Sequence, residues 1–313
     1  MTEAPTILLV SPCRDEIDHV ETTIKSILAQ TLRPTKWIIV DDGSTDGTQD
    51  VLARYANEVD FIEVVSKPDT GERRVGPGVI ESFYVGLESV DWRSYEFICK
   101  LDVDLDLPPT YLQGLVDKLR ADPSLGTCSG KPWFRRPGTD ERLPEPCGDE
   151  MSVGMTKFYR STCFDQIGGF ERAVMWDGID CHRCRMLGWR ARAFNDADLA
   201  FEHLRPMGSS HKSIWTGRQR HGRGQWYMGT SPWYLFASAA SRLFKFPVVI
   251  GSAAMVYGYL AAAFTGKPRL ADPATRKAIR RYQWLALTKG KPWLADFAEP
   301  RSPNATTAAG PTT

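Results

Sequence analysis

The chain has 313 residues, 42% of them apolar and 25% charged, which is enough for a sizeable α/β core and excludes a wholly disordered protein. Its formal net charge of +1 hides an asymmetry, because no acidic residue lies between His203 and Ala271 while nine lysines and arginines do; the remainder carries 30 basic against 38 acidic residues, a net of −8. Such an acid-free block suits an anionic partner: phosphate, nucleic acid or a lipid surface.

The first half alternates strand and helix signals at the pace of a βαβ series. A short apolar run at 6–10 is followed by 18–30, where Val20, Ile24, Ile27 and Leu28 share one helical face. Residues 37–40 read as a buried strand, 49–56 as a helix, 61–65 as a strand, 79–90 as a helix and 97–101 as a strand. The next helix starts beyond Pro108 and Pro109, since proline suits a first helical turn. This series predicts a mostly parallel sheet with crossover helices. From 127 to 155 proline, glycine and charge increase, which reads as an irregular or hairpin-like insert. Residues 161–168 read as a short helix closed by Gly168 and Gly169, and 177–187 as another, ended by Gly188.

Beyond His203 the chain turns rich in Trp, Gly and Arg, and 246–266 runs 21 residues without a charge. That run is long enough to cross a bilayer, yet it is interrupted by Pro247 and flanked on both sides by Arg242, Lys245, Lys267 and Arg269, so charge does not orient it. A buried helix, a shallow or re-entrant membrane element and a full span all stay open. The last dozen residues, 303–313 among them, read as disordered. The expected division is a catalytic unit over 1–203, a basic, aromatic and apolar region over 204–300 that contacts a membrane, and a tail over 301–313. Seven cysteines at irregular spacing do not read as a disulfide framework, and Cys181 with Cys184 has no second pair to build a zinc site. Residues 1–5 carry neither a basic nor an apolar leader region, so the active portion is expected in the cytosol, at the cytoplasmic face of the membrane.

Two acidic motifs carry the chemistry. Asp41-Asp42-Gly43-Ser44-Thr45-Asp46-Gly47-Thr48 follows the apolar run Trp37-Ile38-Ile39-Val40, and Leu101-Asp102-Val103-Asp104-Leu105-Asp106 follows Phe97-Ile98-Cys99. Each puts carboxylates where a buried strand emerges, and ligands of open α/β sheets bind at that edge. Asp102 and Asp104, two apart at a strand end, suit a hard cation such as Mg²⁺ or Mn²⁺. In the first motif Ser44, Thr45 and Asp46 suit a helix cap, whereas two further acids at the strand tip are not needed for capping and can accept from a base or ribose. No Walker loop and no GxGxxG is present, so a metal has to do what backbone amides do in those folds.

Together these residues resemble the inverting family 2 glycosyltransferases of the GT-A fold, over about residues 7–203. The resemblance rests on Pro12-Cys13-Arg14-Asp15-Glu16 after the first strand, on Asp41 to Thr48, on Asp102-Val103-Asp104 with Pro108-Pro109 soon after, and on Gly168-Gly169-Phe170-Glu171. The family then places a Glu-Asp pair at the head of a helix, with Arg six and Gly eleven residues beyond its Asp. Asp177, Arg183 and Gly188 keep that spacing, but Trp176 stands in the Glu position.

The resemblance implies a nucleotide site formed by Pro12, Arg14, Glu16, Asp41, Asp42 and Asp102, and a metal held by Asp102, Asp104 and His203. It also implies a catalytic base, Asp177, with Asp180 one turn on in reserve. A carboxylate at a helix N-terminus is well placed to take the acceptor's proton. Arg218, Arg220 and Arg223, with Trp215 and Trp226, read as a basic loop closing over the diphosphate; their spacing does not match the Gln-x-x-Arg-Trp motif of processive members. The expected partners are a UDP- or GDP-linked sugar, a hydroxyl acceptor such as a lipid-linked glycan, and a membrane surface, with no nucleic-acid motif framing the basic block.

The expected function is metal-dependent sugar transfer in cell-surface polysaccharide or glycolipid assembly. Two rivals stand beside it. A sugar-phosphate nucleotidyltransferase needs a glycine-rich phosphate loop that residues 12–16 lack, and a non-catalytic membrane scaffold has no use for Asp102, Asp104 and Asp177.

Overall fold

The computed structural model describes residues 4–68, 76–136, 138–205, 214–243 and 249–297. The expected tail at 301–313, and residues 246–248 of the charge-free run, lie outside them. A seven-stranded sheet has the order β10-β6-β9-β4-β1-β2-β3, made of β1 (Ile7–Cys13), β2 (Lys36–Asp41), β3 (Ile62–Ser66), β4 (Phe97–Leu101), β6 (Leu125–Ser129), β9 (Thr156–Arg160) and β10 (Arg190–Ala193). β1 pairs in parallel with both β2 and β4, and β2 with β3. β9 runs antiparallel to β4 and β6, the one reversal in the predicted parallel order.

Strand residues alternate between two cores. Ile7, Leu9, Trp37, Ile39, Phe97 and Cys99 face one layer with α1 (Val20–Leu28), α2 (Thr48–Glu58) and α4 (Tyr111–Ala121). Leu8, Val10, Ile38, Val40 and Ile98 face the other, with α3 (Pro77–Glu88), α5 (Ser161–Gln166) and α6 (Trp176–Met186). Coverage on both faces explains why these strands read as unbroken apolar runs.

A second sheet, in the order β5-β11-β7-β8, consists of β5 (Leu105–Asp106), β7 (Pro132–Arg135), β8 (Arg142–Pro144) and β11 (Phe201–His203). The insert contributes the β7–β8 hairpin. β11 pairs antiparallel with β5 so that His203 lies opposite Leu105, and this register carries the end of the 201–203 strand to the second acidic motif.

The C-terminal region is helical: α7 (Ile214–Met228), α8 (Pro232–Ala240), α9 (Ile250–Phe264), α10 (Pro273–Thr288) and α11 (Lys291–Ala295). The arginine-rich stretch expected as a loop is therefore helix α7. It packs on α9 backbone to backbone: a Cβ on Gly222 would come 1.9 Å from the Met255 carbonyl oxygen, and one on Gly258 2.2 Å from that of Gln219. The charge-free run contributes only the 15 residues of α9, about 22 Å of helix against a hydrocarbon layer of about 30 Å. No described helix is long and apolar enough to cross a membrane.

Candidate active site

The first two motifs clasp each other at the carboxyl ends of β1 and β2. Asp41 accepts from the backbone N–H (3.1 Å) and hydroxyl (2.5 Å) of Ser44 and from Gln49 Nε2 (3.3 Å). Asp15, at a left-handed φ of 52°, donates its N–H to Ser44 Oγ and accepts from the Thr45 N–H. Asp46, one residue before the α2 N-cap Gly47, accepts from the N–H and hydroxyl of Thr48 and from the Ile17 N–H. Arg14 donates to the Asp42 carbonyl at 2.7 Å, and the Asp42 carboxylate meets Lys67 Nζ at 2.6 Å. The clasp leaves Asp42 at the strand tip and puts a cation, Lys67, beside it.

Asp104 sits where β4 gives way to β5, and α1 ties this corner down through Thr23, whose hydroxyl donates to the Leu105 carbonyl and accepts its N–H. Asp104 Oδ2 accepts from Arg205 Nη2 at 2.9 Å, and the same nitrogen donates to Glu16 Oε1 at 2.5 Å. His203 Nε2 lies 3.6 Å from Asp104 Oδ2, while Nδ1 donates to Glu145 Oε2 at 2.9 Å. Burial works against the Asp104 carboxylate, but His203 and Arg205 outweigh it and hold its pKa down at about 2. Burial likewise opposes the His203 imidazolium, and Asp104 and Glu145 lift it to about 9.

Asp102 turns toward Lys100, whose ammonium also reaches the Gly154 carbonyl. Withdrawal from water raises the Asp102 pKa against the pull of Lys100. Among the described residues no three His, Cys, Asp or Glu side chains converge as a closed metal-ligand set. The donors are nevertheless of the right kind: Asp104 Oδ1 is buried with no hydrogen-bond partner among the described residues, and His203 is oriented through its other nitrogen by a carboxylate, as metal-ligating histidines commonly are. Glu145, Arg205, Lys100 and Lys67 were not singled out in the sequence. Arg205 lies two residues past His203 and carries a spacing signal, whereas Glu145 sits 58 residues from its partner and carries none.

Met175, the N-cap of α6, has a left-handed φ of 70° and makes no side-chain cap bond, and Asp177 lies exposed in the first turn. The Asp177 side chain rests against Gly154, where an added Cβ would come 3.0 Å from its Oδ2. Arg220 of α7 is near enough to feel its charge.

Asp180 is wholly buried instead. Its Oδ2 accepts from Lys157 Nζ and the Tyr159 hydroxyl, each at 2.5 Å, and its Oδ1 from the Cys181 N–H. Burial disfavours the Lys157 ammonium, and Asp180 offsets this and keeps it charged. Trp176 covers this floor: its ring centroid lies 5.1 Å from Lys100 Nζ and 5.8 Å from Lys157 Nζ. An indole face over two buried ammonium groups thus occupies the position of the family's Glu. Arg183 holds Glu171 at 2.7 Å, and Tyr227 of α7 donates to the same carboxylate at 2.9 Å.

A family model described as Glycosyl transferase family 2 matches residues 9–177. Poly-beta-1,6-N-acetyl-D-glucosamine synthase of Staphylococcus aureus (strain MSSA476) is 29% identical over 133 residues, 42% of this chain and 29% of that protein. Cholesterol galactosyltransferase of Borreliella burgdorferi is 30% identical over 112 residues, 36% of this chain and 28% of that protein. The match thus spans under a third of either relative's length. Among solved structures, the mannosyltransferase PcManGT from Pyrobaculum calidifontis, in complex with GDP-Man and Mn2+, has a TM-score of 0.51 at 18% identity, covering 94% of this chain and 86% of that one. S. aureus TarS 1-349 in complex with UDP-GlcNAc reaches 0.53 at 14% identity, covering 92% and 86%. At such identities these likenesses establish the fold, and it is the one expected from the resemblance.

Proposed function

The chain belongs to glycosyl transferase family 2, and from that premise we propose that it is a metal-dependent, inverting enzyme moving a sugar from a UDP- or GDP-linked donor to an acceptor hydroxyl. The observation that carries this reading is the pairing of two unlike carboxylates at one sheet edge: Asp104, buried with an unpartnered Oδ1 among cations, and Asp177, exposed at the head of α6. The first suits a cation and the second a proton.

In this reading Asp42 and Lys67 flank the nucleoside, with Pro12, Arg14, Glu16 and Asp41 shaping the pocket wall from the clasp. Asp104 with Asp102 and His203 would hold Mg²⁺ or Mn²⁺, His203 giving up its Nε2 proton to do so, and the ion would offset charge on the leaving diphosphate. Glu145 fixes the His203 ring. Arg220, within electrostatic reach of Asp177, would add positive charge where the diphosphate departs, with Arg218 two residues before it on α7. Asp177 takes the acceptor's proton as its oxygen attacks the anomeric carbon in line, which inverts the configuration. Asp180 does not share that task; its oxygens hold Lys157, Tyr159 and the helix backbone.

The reaction is assigned to a membrane surface in polysaccharide or glycolipid assembly. Support comes from one face of α9, where Ile250, Tyr257, Leu260 and Phe264 stand exposed at helical spacing, Phe264 at 86%. Trp233 and Phe236 of α8 are exposed as well.

Calorimetric titration of UDP and of GDP, with and without Mn²⁺, into the wild type and Asp104→Asn tests the core of this reading. Manganese-dependent binding of one nucleotide, lost in the variant, is expected. Metal-independent binding, or none, sinks it.

A further inference from the structure

A cavity of about 590 Å³ lies between the chain leading into α6 and helices α7 and α9. Its walls include Val174, Trp226 and Ala261, and its cations are Arg172, Arg223 and Lys267, with no acidic residue among the lining side chains. Arg172 is partly answered by Glu88 at 3.5 Å. Arg223 and Lys267 make no ion pair among the described residues, and both are exposed. Arg223 was expected at the diphosphate. On helix α7, however, it lies three residues beyond Arg220 and turns into this cavity.

Two features tie the cavity to the transfer site. Val174 lines it three residues before Asp177, and α7 presses on that segment closely enough that a Cβ on Gly224 would lie 2.5 Å from Met175 Cγ. Arg220, one helical turn before Arg223 of the cavity wall, lies within electrostatic reach of Asp177. At the other end, Ala261 and Thr265 line the cavity directly beside Leu260 and Phe264 of the exposed apolar face of α9.

We propose that this cavity is the acceptor subsite, and that it takes an amphiphile whose apolar chain runs toward the α9 face while a phosphate-type anion next to it meets Arg223 and Lys267. Charge complementarity selects this occupant over a neutral one, since an apolar pocket rimmed by unpaired cations desolvates them unfavourably unless an anion arrives with the apolar group. The hydroxyl-bearing end of such an acceptor then points along α7 toward Asp177. This inference rests on the transferase reading above and specifies its acceptor class.

The test is a titration of the full chain with monomeric dodecyl phosphate, followed by the fluorescence of Trp226 and its neighbours, with inorganic phosphate and dodecyl maltoside as parallel arms. Saturable one-to-one binding of dodecyl phosphate, tighter than either comparator by about tenfold or more, is expected. Lys267→Gln, at an exposed position, should weaken the phosphate amphiphile by about tenfold and leave the maltoside unchanged. Ala261→Trp, which fills the cavity, should weaken both, with circular dichroism reporting that the fold is kept. Equal affinity for inorganic phosphate reduces the cavity to a simple anion site, and equal affinity for the maltoside to an unselective apolar pocket; either overturns the proposal. So does Arg223→Gln if it weakens UDP or GDP binding in Mn²⁺ instead of dodecyl phosphate binding. Nucleotide titrations on the same samples separate the two readings: nucleotide binding without a selective amphiphile response removes the acceptor subsite alone, and dodecyl phosphate binding without nucleotide binding removes the transferase.

Discussion

The two acidic motifs look alike in sequence, an apolar strand running into closely spaced aspartates, yet they do opposite things with their carboxylates. In the first, Asp41 and Asp46 bond inward, to Ser44, Gln49, Thr48 and Ile17. In the second, Asp104 keeps one buried oxygen without a partner and turns the other to Arg205 and His203. Saturated carboxylates build a scaffold that presents Asp42, whereas the oxygen left open on Asp104 suits the metal-binding role proposed for it. The number of internal hydrogen bonds a carboxylate receives, more than its place in a motif, separates the two roles.

The comparison is broken most sharply by exchanging the effects. Asp104→Asn is expected to weaken manganese-dependent nucleotide binding by about a hundredfold or more, roughly 2.7 kcal/mol, with a thermal midpoint within a few degrees of wild type. A large loss of stability with binding intact would assign Asp104 to the scaffold. Asp41→Ala should do the reverse, costing about 2–3 kcal/mol in urea unfolding, because the buried Ser44 N–H loses its acceptor. Asp46→Ala removes the acceptor of the Thr48 and Ile17 N–H groups and should cost about 1 kcal/mol.

The Asp46 effect should depend on pH. Burial raises the Asp46 pKa, but the Thr48 hydroxyl and the Ile17 and Thr48 N–H groups bring it below its usual value. Its stabilising contribution is therefore present above the unfolded-state pKa and is lost as pH falls through the lower folded-state value. The gap between wild type and variant should close in acid, and a gap constant with pH counts against those hydrogen bonds.

Much of this was legible in the chain. Period-two burial on both faces gave the central strands as apolar runs, and Phe97–Leu101 falls on the predicted range. The cap expected among Ser44, Thr45 and Asp46 falls instead on Gly47, at a left-handed φ of 96°, with Asp46 just before it. What escaped was set by partners distant in sequence. Glu145 orients His203 from a loop 58 residues away, and nothing near Pro144 marks it. The helical state of α7 was masked by its glycines, which lower helix propensity; Gly222 is required there by close contact with α9, a tertiary demand that local pattern does not show. Trp176 read as a missing acid because only the fold brings Lys100 and Lys157 beneath its ring.

The glycine contacts between α7 and α9 carry one more consequence. With Gly222 against Met255 and Gly258 against Gln219 no side-chain layer separates the two helices at these contacts, so a displacement of one is passed to the other with little loss. Helix α9 carries the exposed ring of Phe264, and α7 carries Arg220, within electrostatic reach of Asp177. Adding a methyl group to either glycine would drive it into the facing backbone and force the two helices apart.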